Sequence, residues 1–493
     1  MNPSAAHISS DIGNQEVNPI LDRKYYIWSG LLAVKCIQAI FLPEFSSIDY
    51  VLIGYLLINM LLNLNKPLEL LCLFVAGYFV DIGEWISRFA IINGATRILF
   101  LDVFFIILIV LALLDILKRP VLYPVYARWL LLLITVFWMT NFSKGILASP
   151  LGYVIGEGRF YFASIFVVIF ARFFVQDHNL FFRKLSAIIS LASINISFFV
   201  VLMMISGHTG EEGSRFNPGN SEVEILVFAL LICFIDLHYN RNLHLIKINK
   251  IILSGIYLVI ILLTGVRTMM LMAILASGYF LFISSRITNK RKLLIIGAIL
   301  GLIIIFAQFE PGKKVIAEQT QYIELMQGKG KSYNKTTMDF RSAMWGAFWK
   351  QLTKSNERML VGRAFNNEQI DIRSMEWGLT EEDQLSYVDN SLAHNDFLAI
   401  SMTNGLVFSG LLLIFLFTYV FKSWTTANRD EELAPFFVLM GWILLCQIVQ
   451  SATNAEIKHY GFSITLWYHV GIIAALLNIY HRRQKQKINQ LGE

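Results

Sequence analysis

The chain is poor in charge. Only 15% of its 493 residues are Asp, Glu, Lys or Arg and 56% are hydrophobic, against roughly 25% and 45–50% in soluble globular proteins. This balance excludes a water-soluble fold of this size. Cysteine is scarce as well: Cys36, Cys72, Cys233 and Cys446 lie far apart inside apolar runs, so we expect neither a disulfide framework nor a cysteine metal site.

Several familiar motifs are also missing. The sequence has no glycine-rich phosphate loop and no nucleophile elbow, and the loops expected in the cytoplasm are too short for a soluble catalytic domain. Residues Met1 to Asp22 contain no apolar stretch of about 7–15 residues, so we expect no cleavable signal peptide. The net charge of +6 fits basic cytoplasmic loops, and we expect no nucleic-acid partner.

Apolar segments of membrane-spanning length are abundant instead. About fourteen are expected from their length. They begin near Tyr25, Tyr50, Pro67, Thr96, Ala127, Phe160, Leu185, Glu222, Lys250, Thr268, Leu293, Asp396, Leu433 and Phe462. The predicted fold class is therefore an all-α polytopic integral membrane protein. Because clusters of Lys and Arg fall in alternate loops, both termini are expected in the cytoplasm.

The segments divide the chain into five regions. We predict a cytoplasmic tail at 1–24, transmembrane helices 1–11 at 25–309, a large outer loop at 310–393, transmembrane helices 12–14 at 394–481 and a cytoplasmic tail at 482–493. A loop as long as the one at 310–393 is usually functional or disordered. One stretch of the loop is periodic, which favours function.

The periodic stretch runs from Arg341 to Leu352. Its residues Trp345, Phe348, Trp349 and Leu352 fall at i, i+3, i+4 and i+7, which places them on one face of a helix. A tryptophan-rich apolar face of this kind is typical of helices that lie on the membrane interface. We therefore predict an interfacial amphipathic helix within the outer loop.

Arginines collect on the outer face, where the positive-inside rule should deplete them. Arg267 has apolar helix on both sides and almost no loop, so its guanidinium is expected at the outer membrane surface. A charge there usually has a partner or a role, although a snorkelling side chain at a tight turn is the alternative. Arg159, Arg215 and Arg341 are the other outer candidates. Because guanidinium pairs bidentately with phosphate oxygens, the set predicts an anion site.

His394 lies where the outer loop enters a predicted span. An imidazole at that boundary can accept a proton at physiological pH, which makes His394 a candidate general base; an interfacial polar cap is the alternative. Asn395 and Asp389 are candidate supporting residues. A metal held by His394, Asp389 and Asp396 is a weaker hypothesis because no second histidine stands at ligand spacing. We expect no metal and no other cofactor.

The order of these residues resembles the O-antigen ligase and Wzy-type O-antigen polymerase superfamily over roughly residues 267–420. The resemblance is carried, in chain order, by Arg267, Arg341-x-x-x-Trp345, Gly362, His394-Asn395-x-x-Leu398 and Gly405-x-x-x-x-Gly410. One departure is the glycine pair, which is spaced five apart where the family commonly has three. This departure concerns helix packing more than chemistry.

Membership would imply a GT-C-like fold in the bacterial inner membrane with a periplasmic active site. The implied reaction is an inverting glycosyl transfer from an undecaprenyl-diphosphate-linked oligosaccharide. In that reaction Arg159, Arg215 and Arg267 would bind the diphosphate, and His394 would be the catalytic base. Arg341 would either bind the diphosphate or hold the outer loop against the membrane. The expected partners are the lipid-linked donor and acceptor, membrane lipids, a chain-length regulator and a flippase.

Three functional interpretations remain beside a purely structural one. A polymerase of repeat units is preferred, a ligase that delivers the finished glycan to lipid A-core follows closely, and a flippase of lipid-linked sugars is the alternative from another class. A flippase predicts inverted repeats and ionisable residues near interrupted helices. A membrane scaffold would leave Arg267 and His394 without a purpose.

Overall fold

The computed structural model describes most of the apolar chain and part of the outer loop. The described residues are 22–43, 47–78, 90–92, 98–118, 125–152, 154–155, 158, 177–207, 218–283, 288–308, 313, 337–364, 395–453 and 460–491. Their regular secondary structure is helical apart from two short antiparallel strands, in which Ala90 pairs with Leu99.

The elements follow one another with short connections in most of the described chain. In chain order they are α1 (Arg23–Phe41), α2 (Ser47–Leu62), α3 (Pro67–Tyr78), β1 (Ala90–Ile92), β2 (Ile98–Leu99), α4 (Phe100–Lys118), α5 (Val125–Ala148), α6 (His178–Ser206), α7 (Asn220–Tyr239), α8 (Lys250–Thr264), α9 (Arg267–Gly278) with a π-helical turn (Tyr279–Ile283), α10 (Asn289–Gln308), α11 (Thr337–Leu352), α12 (Asn356–Val361), α13 (Asp396–Ala427), α14 (Ala434–Thr453) and α15 (Tyr460–Leu491).

The helices begin close to where the apolar runs predict them. Each predicted span start has a helix start within about two turns, except Phe160, which lies outside the described residues. Among the described residues, four helices are long and apolar enough to cross a membrane, and they lie within α5, α6, α13 and α14. The chain is therefore a helical membrane protein, while the number of spans stays a prediction.

Local chemistry sets the ends of α6. At the start of α6, the Asp177 side chain accepts the backbone N–H of Leu180 at 3.0 Å, which satisfies one of the open donors of the first turn. At its end, Gly207 takes a left-handed conformation with φ +69°. The 29 residues between them span about 43 Å, enough to cross the hydrocarbon with excess on one side.

An ion-pair network joins the starts of α1, α3 and α6. Lys24 contacts Asp22 at 3.2 Å and Glu69 at 2.5 Å, and Lys184 contacts the same two carboxylates. Burial raises the pKa of Asp22, but the two lysines outweigh it, so the pKa is lowered. We call this the inner end of the bundle and the opposite one the outer end; the inner end is the one predicted to be cytoplasmic.

Two further contacts bring α14 and α15 to the same inner end. Near the starts of α6 and α14, the rings of Phe182 and Phe436 stack with centroids 4.1 Å apart. Arg483, near the end of α15, donates to both carboxylate oxygens of Glu432 at 2.8 and 2.9 Å. These contacts agree with the predicted alternation of the spans, in which these chain segments share one side.

One ion pair is fully buried between α1 and α2. The Lys35 Nζ lies 2.7 Å from Asp49 Oδ1, and the two side chains are 1% and 0% exposed. Lys35 also donates to Gln38 Oε1 at 2.8 Å. Asp49 lies in the first turn of α2, where the helix dipole favours negative charge. Each charge is thus compensated, which a buried charge requires.

Candidate functional site

Helix α13 is broken at Gly405. This residue has φ +81° and ψ +167°, so the helix divides into an outer segment, residues 396–404, and a membrane segment, residues 406–427. A Cβ at Gly405 would lie 2.0 Å from the carbonyl oxygen of Leu360, so the position admits only glycine. The helix that starts at Asp396, as predicted, therefore does not run straight into the membrane.

Gly362 crosses α13 at the same place. Its φ is +78°, and a Cβ there would lie 2.4 Å from the carbonyl carbon and oxygen of Thr403. The break frees the carbonyls of Met402 and Thr403 from the helix. Both carbonyls accept backbone N–H groups from residues 363 and 364, which cross α13 here. Arg363 N–H donates to Met402 O at 2.9 Å and Ala364 N–H donates to Thr403 O at 3.0 Å. Two glycines that carry the family resemblance are thus in backbone contact.

The outer loop contributes a small core around this crossing. Phe348 and Leu352 of α11 are buried against Ala399 and Met402 of the outer segment. We call α11, α12 and the outer segment of α13 the outer assembly. It joins the part of the outer loop that precedes Gly362 to the segment that follows residue 394.

The predicted amphipathic helix is confirmed as a helix and starts earlier, at Thr337. Two residues of its predicted apolar face, Phe348 and Leu352, are covered by α13. Trp349 is 50% exposed and remains available to a membrane interface. Protein packing therefore uses half of the face that was predicted to lie on lipid. The backbone of Arg341 belongs to this helix, and its side chain lies outside the described residues.

Asn395 caps the outer segment. Its side-chain oxygen accepts the backbone N–H of Leu398 at 3.0 Å, which fixes the first turn of the helix. The next residue, Asp396, is fully buried in that first turn, where the dipole favours its negative charge. Asn395, predicted as a supporting residue, thus sets where the chain leaves the helix towards residue 394.

Arg267 is the first residue of α9. The turn before it ends α8 at Gly265, which has φ +66°, and leaves Val266 as the N-cap. The side chain of Arg267 is half-buried. The residue therefore lies at a helix start at the outer end, as its apolar flanks predict.

Helix α7, which contacts α9, has two buried acids near its start. Phe280 stacks on Phe234 with centroids 5.3 Å apart, and this contact fixes the register of α9 against α7. Arg267 precedes Phe280 by 13 residues and Glu222 precedes Phe234 by 12, which is about 20 Å and 18 Å of helix. Glu222 and Glu224 are both buried. Helix α7 therefore carries buried acids near the end of the bundle at which Arg267 lies.

Glu222 has a local role as well. Its Oε2 lies 2.1 Å from the point where a Cβ on Gly219 would be, so the carboxylate folds back over the start of α7. An acid three residues into a helix stabilises the open N–H groups there, as in a capping box. This use orients Glu222 towards the helix start and explains its burial.

The remaining predicted site residues are not among those described. Arg159, Arg215, Asp389 and His394 lie outside the described residues. The described part of the predicted site therefore consists of Arg267, Asn395 and the backbone of Arg341.

Sequence reasoning missed two sets of neutral polar groups in the membrane helices. Asn141 of α5 donates to Asn404 Oδ1 at 2.5 Å, and both residues are buried. Gln447 of α14 donates to Thr465 at 3.1 Å and accepts from His469 Nδ1 at 3.0 Å, because the amide oxygen can only accept. The available signal was an amide within an apolar run, as at Asn141 and Gln447. A prediction based on charged residues overlooks this signal.

Metal ligands do not cluster in the described part of the chain. No group of three or more His, Cys, Asp or Glu side chains that could hold an ion occurs among the described residues. No protein-family model matches the chain, and no curated protein matches it.

Proposed function

We propose that this protein is a glycosyltransferase of the bacterial inner membrane that polymerises repeat units of a surface polysaccharide, O-antigen or exopolysaccharide. The donor is an undecaprenyl-diphosphate-linked oligosaccharide, and the reaction takes place at the periplasmic face. In this proposal the chain has about fourteen spans, a GT-C-like arrangement and both termini in the cytoplasm.

The observation that supports the proposal most is the glycine crossing of Gly362 and Gly405. It joins the end of α12 to the outer segment of α13 by backbone contact, and that outer segment begins directly after His394 and Asn395 in the sequence. A long outer loop without function would not require two residues with positive φ in contact with backbone atoms. Fixed geometry at the start of α13 is what a positioned general base requires.

The proposed chemistry follows from the residue types. The acceptor hydroxyl attacks the anomeric carbon while the bond from that carbon to the diphosphate oxygen breaks. His394 takes the hydroxyl proton, and the undecaprenyl diphosphate leaves with the bond electrons. Arg159, Arg215, Arg267 and Arg341 stabilise the negative charge that grows on the leaving group, and this role needs no metal.

A ligase would share this donor chemistry. It would differ only in its acceptor, a sugar of lipid A-core in place of a second lipid-linked repeat unit. The roles proposed for the described site residues concern the donor. An assay is therefore needed to identify the acceptor.

A transporter of lipid-linked sugars is the second candidate, and two observations favour it. Helix α13 is interrupted at Gly405, and the Lys35–Asp49 pair is buried in the apolar core. Interrupted helices and buried ionisable groups are common in transporters. Asp49, however, is compensated by Lys35 and by the start of α2, as expected of a pair that holds two helices together.

Reconstitution of the purified protein tests the proposal. The protein is placed in vesicles with a lipid-diphosphate-linked repeat unit alone, and the products are separated as a glycan ladder. We expect a ladder from the wild type and none from His394→Ala. If a product appears only after lipid A-core is added, the protein is a ligase.

A matched variant separates the enzyme from the transporter. The double replacement Lys35→Met with Asp49→Leu removes the buried pair without leaving a lone charge. The proposed enzyme keeps its ladder in this variant, since the pair takes no part in the reaction. Absence of product with both acceptors, together with loss of lipid-linked sugar translocation in the double variant, would establish transport.

A further inference from the structure

Helix α5 contacts both segments of the broken helix α13. The ring of Phe137 packs against that of Phe408, three residues after the break, with centroids 4.6 Å apart. One turn further along α5, Asn141 donates to Asn404, which immediately precedes the break. A single face of α5 thus holds the chain on either side of Gly405.

The same face continues onto the outer assembly. Phe137, Asn141 and Lys144 stand at i, i+4 and i+7, which is one stripe of a helix. Lys144 lies 4.0 Å from Glu357 of α12, and because both side chains are well exposed this contact adds little. The buried member of the stripe is Asn141, which is 1% exposed.

The break makes such a contact necessary. A continuous helix transmits its direction through its hydrogen bonds, and Gly405 interrupts them. The outer segment packs Ile400 and Phe397 on the main apolar core, and its other contacts are with α11 and with residues 362–364, which follow α12. Its orientation relative to the membrane helices therefore depends on contacts such as the Asn141–Asn404 hydrogen bond.

We propose that Asn141 is a positioning residue: its amide fixes the outer segment of α13 relative to the membrane bundle. Through that segment it sets the position of Asn395, which follows His394 in the sequence. The catalytic part of this inference rests on the proposed function. The structural part does not.

The first measurement reads the geometry alone. Spin labels are attached at Lys354→Cys, at the end of the outer assembly's first helix, and at Thr425→Cys, in the membrane segment; both positions are exposed. The four native cysteines are buried and will not compete for the label. We expect one narrow distance distribution in the otherwise unchanged protein and a shifted or broadened one with Asn141→Ala.

Two further variants make the result specific. Ser143→Ala is the matched control, because Ser143 is exposed on the same helix and donates only to its own turn at Met139 O. Asn404→Ala removes the other partner and keeps the test valid if Asn141→Ala does not fold. If the two amides act as a pair, the double variant has the same distance distribution as either single one.

The second measurement is turnover in the glycan ladder assay. A displaced base lowers kcat by about 10²-fold and leaves KM for the lipid-linked donor nearly unchanged. Loss of folding alone would lower the amount of active protein and change the melting temperature. Ser143→Ala keeps both kinetic parameters.

The outcomes separate the inference from the proposed function. A broadened distribution with reduced kcat supports both. A broadened distribution in a protein whose wild type makes no glycan supports the positioning role of Asn141 and removes the proposed reaction. An unchanged distribution with Asn141→Ala overturns the inference, whatever the activity.

Discussion

The two ends of the bundle hold their polar groups in different ways. At the inner end, charged side chains pair between helices, as Lys184 does with Glu69 and Arg483 with Glu432. At the outer end, around Gly405, the contacts are backbone hydrogen bonds and the neutral amides Asn141 and Asn404. Ion pairs thus join the helices at the inner end, whereas backbone hydrogen bonds and neutral side chains make the contacts around Gly405.

This difference predicts different sensitivities. Ion pairs near water tolerate changes in side-chain geometry, because both partners are flexible and solvated. A backbone crossing between two glycines tolerates no Cβ. The outer assembly therefore has one fixed geometry, which suits a site where reacting groups must be aligned.

The largest effect is expected from Gly405→Ala. A residue with a Cβ at this φ and ψ carries strain of about 1–3 kcal/mol, and its Cβ would lie 2.0 Å from Leu360 O. The clash can be relieved only by separating α12 from α13, so we expect the outer assembly to come apart between these two helices. Limited proteolysis of the outer loop and the melting temperature in detergent measure this.

Gly410→Ala is the control for that experiment. It adds the same methyl group five residues further along α13, where no atom lies within 4 Å of the new Cβ. We expect the cleavage pattern and melting temperature of the wild type. Equal behaviour of the two variants would mean that the glycine crossing does not hold the outer assembly.

Breaking the buried pair of Lys35 and Asp49 should have the next largest effect. Lys35→Met leaves the carboxylate of Asp49 buried without its partner, which costs about 3–5 kcal/mol. Lys35→Met with Asp49→Leu removes both charges and should be near neutral. Unfolding in detergent measures both variants, and equal destabilisation by the single and the double change would contradict a closed ion pair.

Arg267→Lys probes charge against geometry at the outer end. The lysine keeps the positive charge but loses the planar, bidentate donor pair, so we expect glycan synthesis to fall by about 10²-fold at unchanged protein level. Arg482→Lys, at the exposed end of α15, should change nothing. Unchanged activity of Arg267→Lys would return Arg267 to the snorkelling interpretation.

The smallest effect concerns Glu432 at the inner end. Hydrogen bonds from Arg483 lower the pKa of this carboxyl below its usual value of 4.5, although partial burial raises it. A lowered pKa contributes stability above the ordinary pKa, and the contribution is lost as pH falls through the lowered value. Because the pair is exposed, it is worth less than about 1 kcal/mol.

A melting series compares wild type with Glu432→Gln between pH 7 and pH 3. The wild type should melt slightly higher at pH 7, and the difference should disappear towards pH 3. A difference that grows with acidity would contradict the assignment.

The positions of the described helices could be predicted from the sequence because hydrophobicity along the chain determines them. Helices begin at or near Pro67, Lys250 and Asp396, where the apolar runs start. The helix around Phe348 followed from its spacing. These are local properties, and each can be derived from a few neighbouring residues.

The outer site could be predicted only in part. In the sequence, Gly405 resembles a tolerated glycine within an apolar helix. No neighbouring residue indicates that the chain segment at Gly362 crosses the helix at this point. The partners Asn141 and Asn404 are separated by 263 positions, and Lys24 and Lys184, which are 160 positions apart, both contact Glu69. Such contacts depend on how the helices pack, which hydrophobicity does not encode.

The most direct test of the account is a comparison of glycan ladders from reconstituted wild type, Gly410→Ala and Gly405→Ala, each supplied with a lipid-diphosphate-linked repeat unit. The account predicts ladders from the first two proteins and none from Gly405→Ala at equal protein in the vesicles. A full ladder from Gly405→Ala would contradict it. The account would also be contradicted if the wild type transferred no glycan to the repeat unit and none to lipid A-core when that acceptor is added.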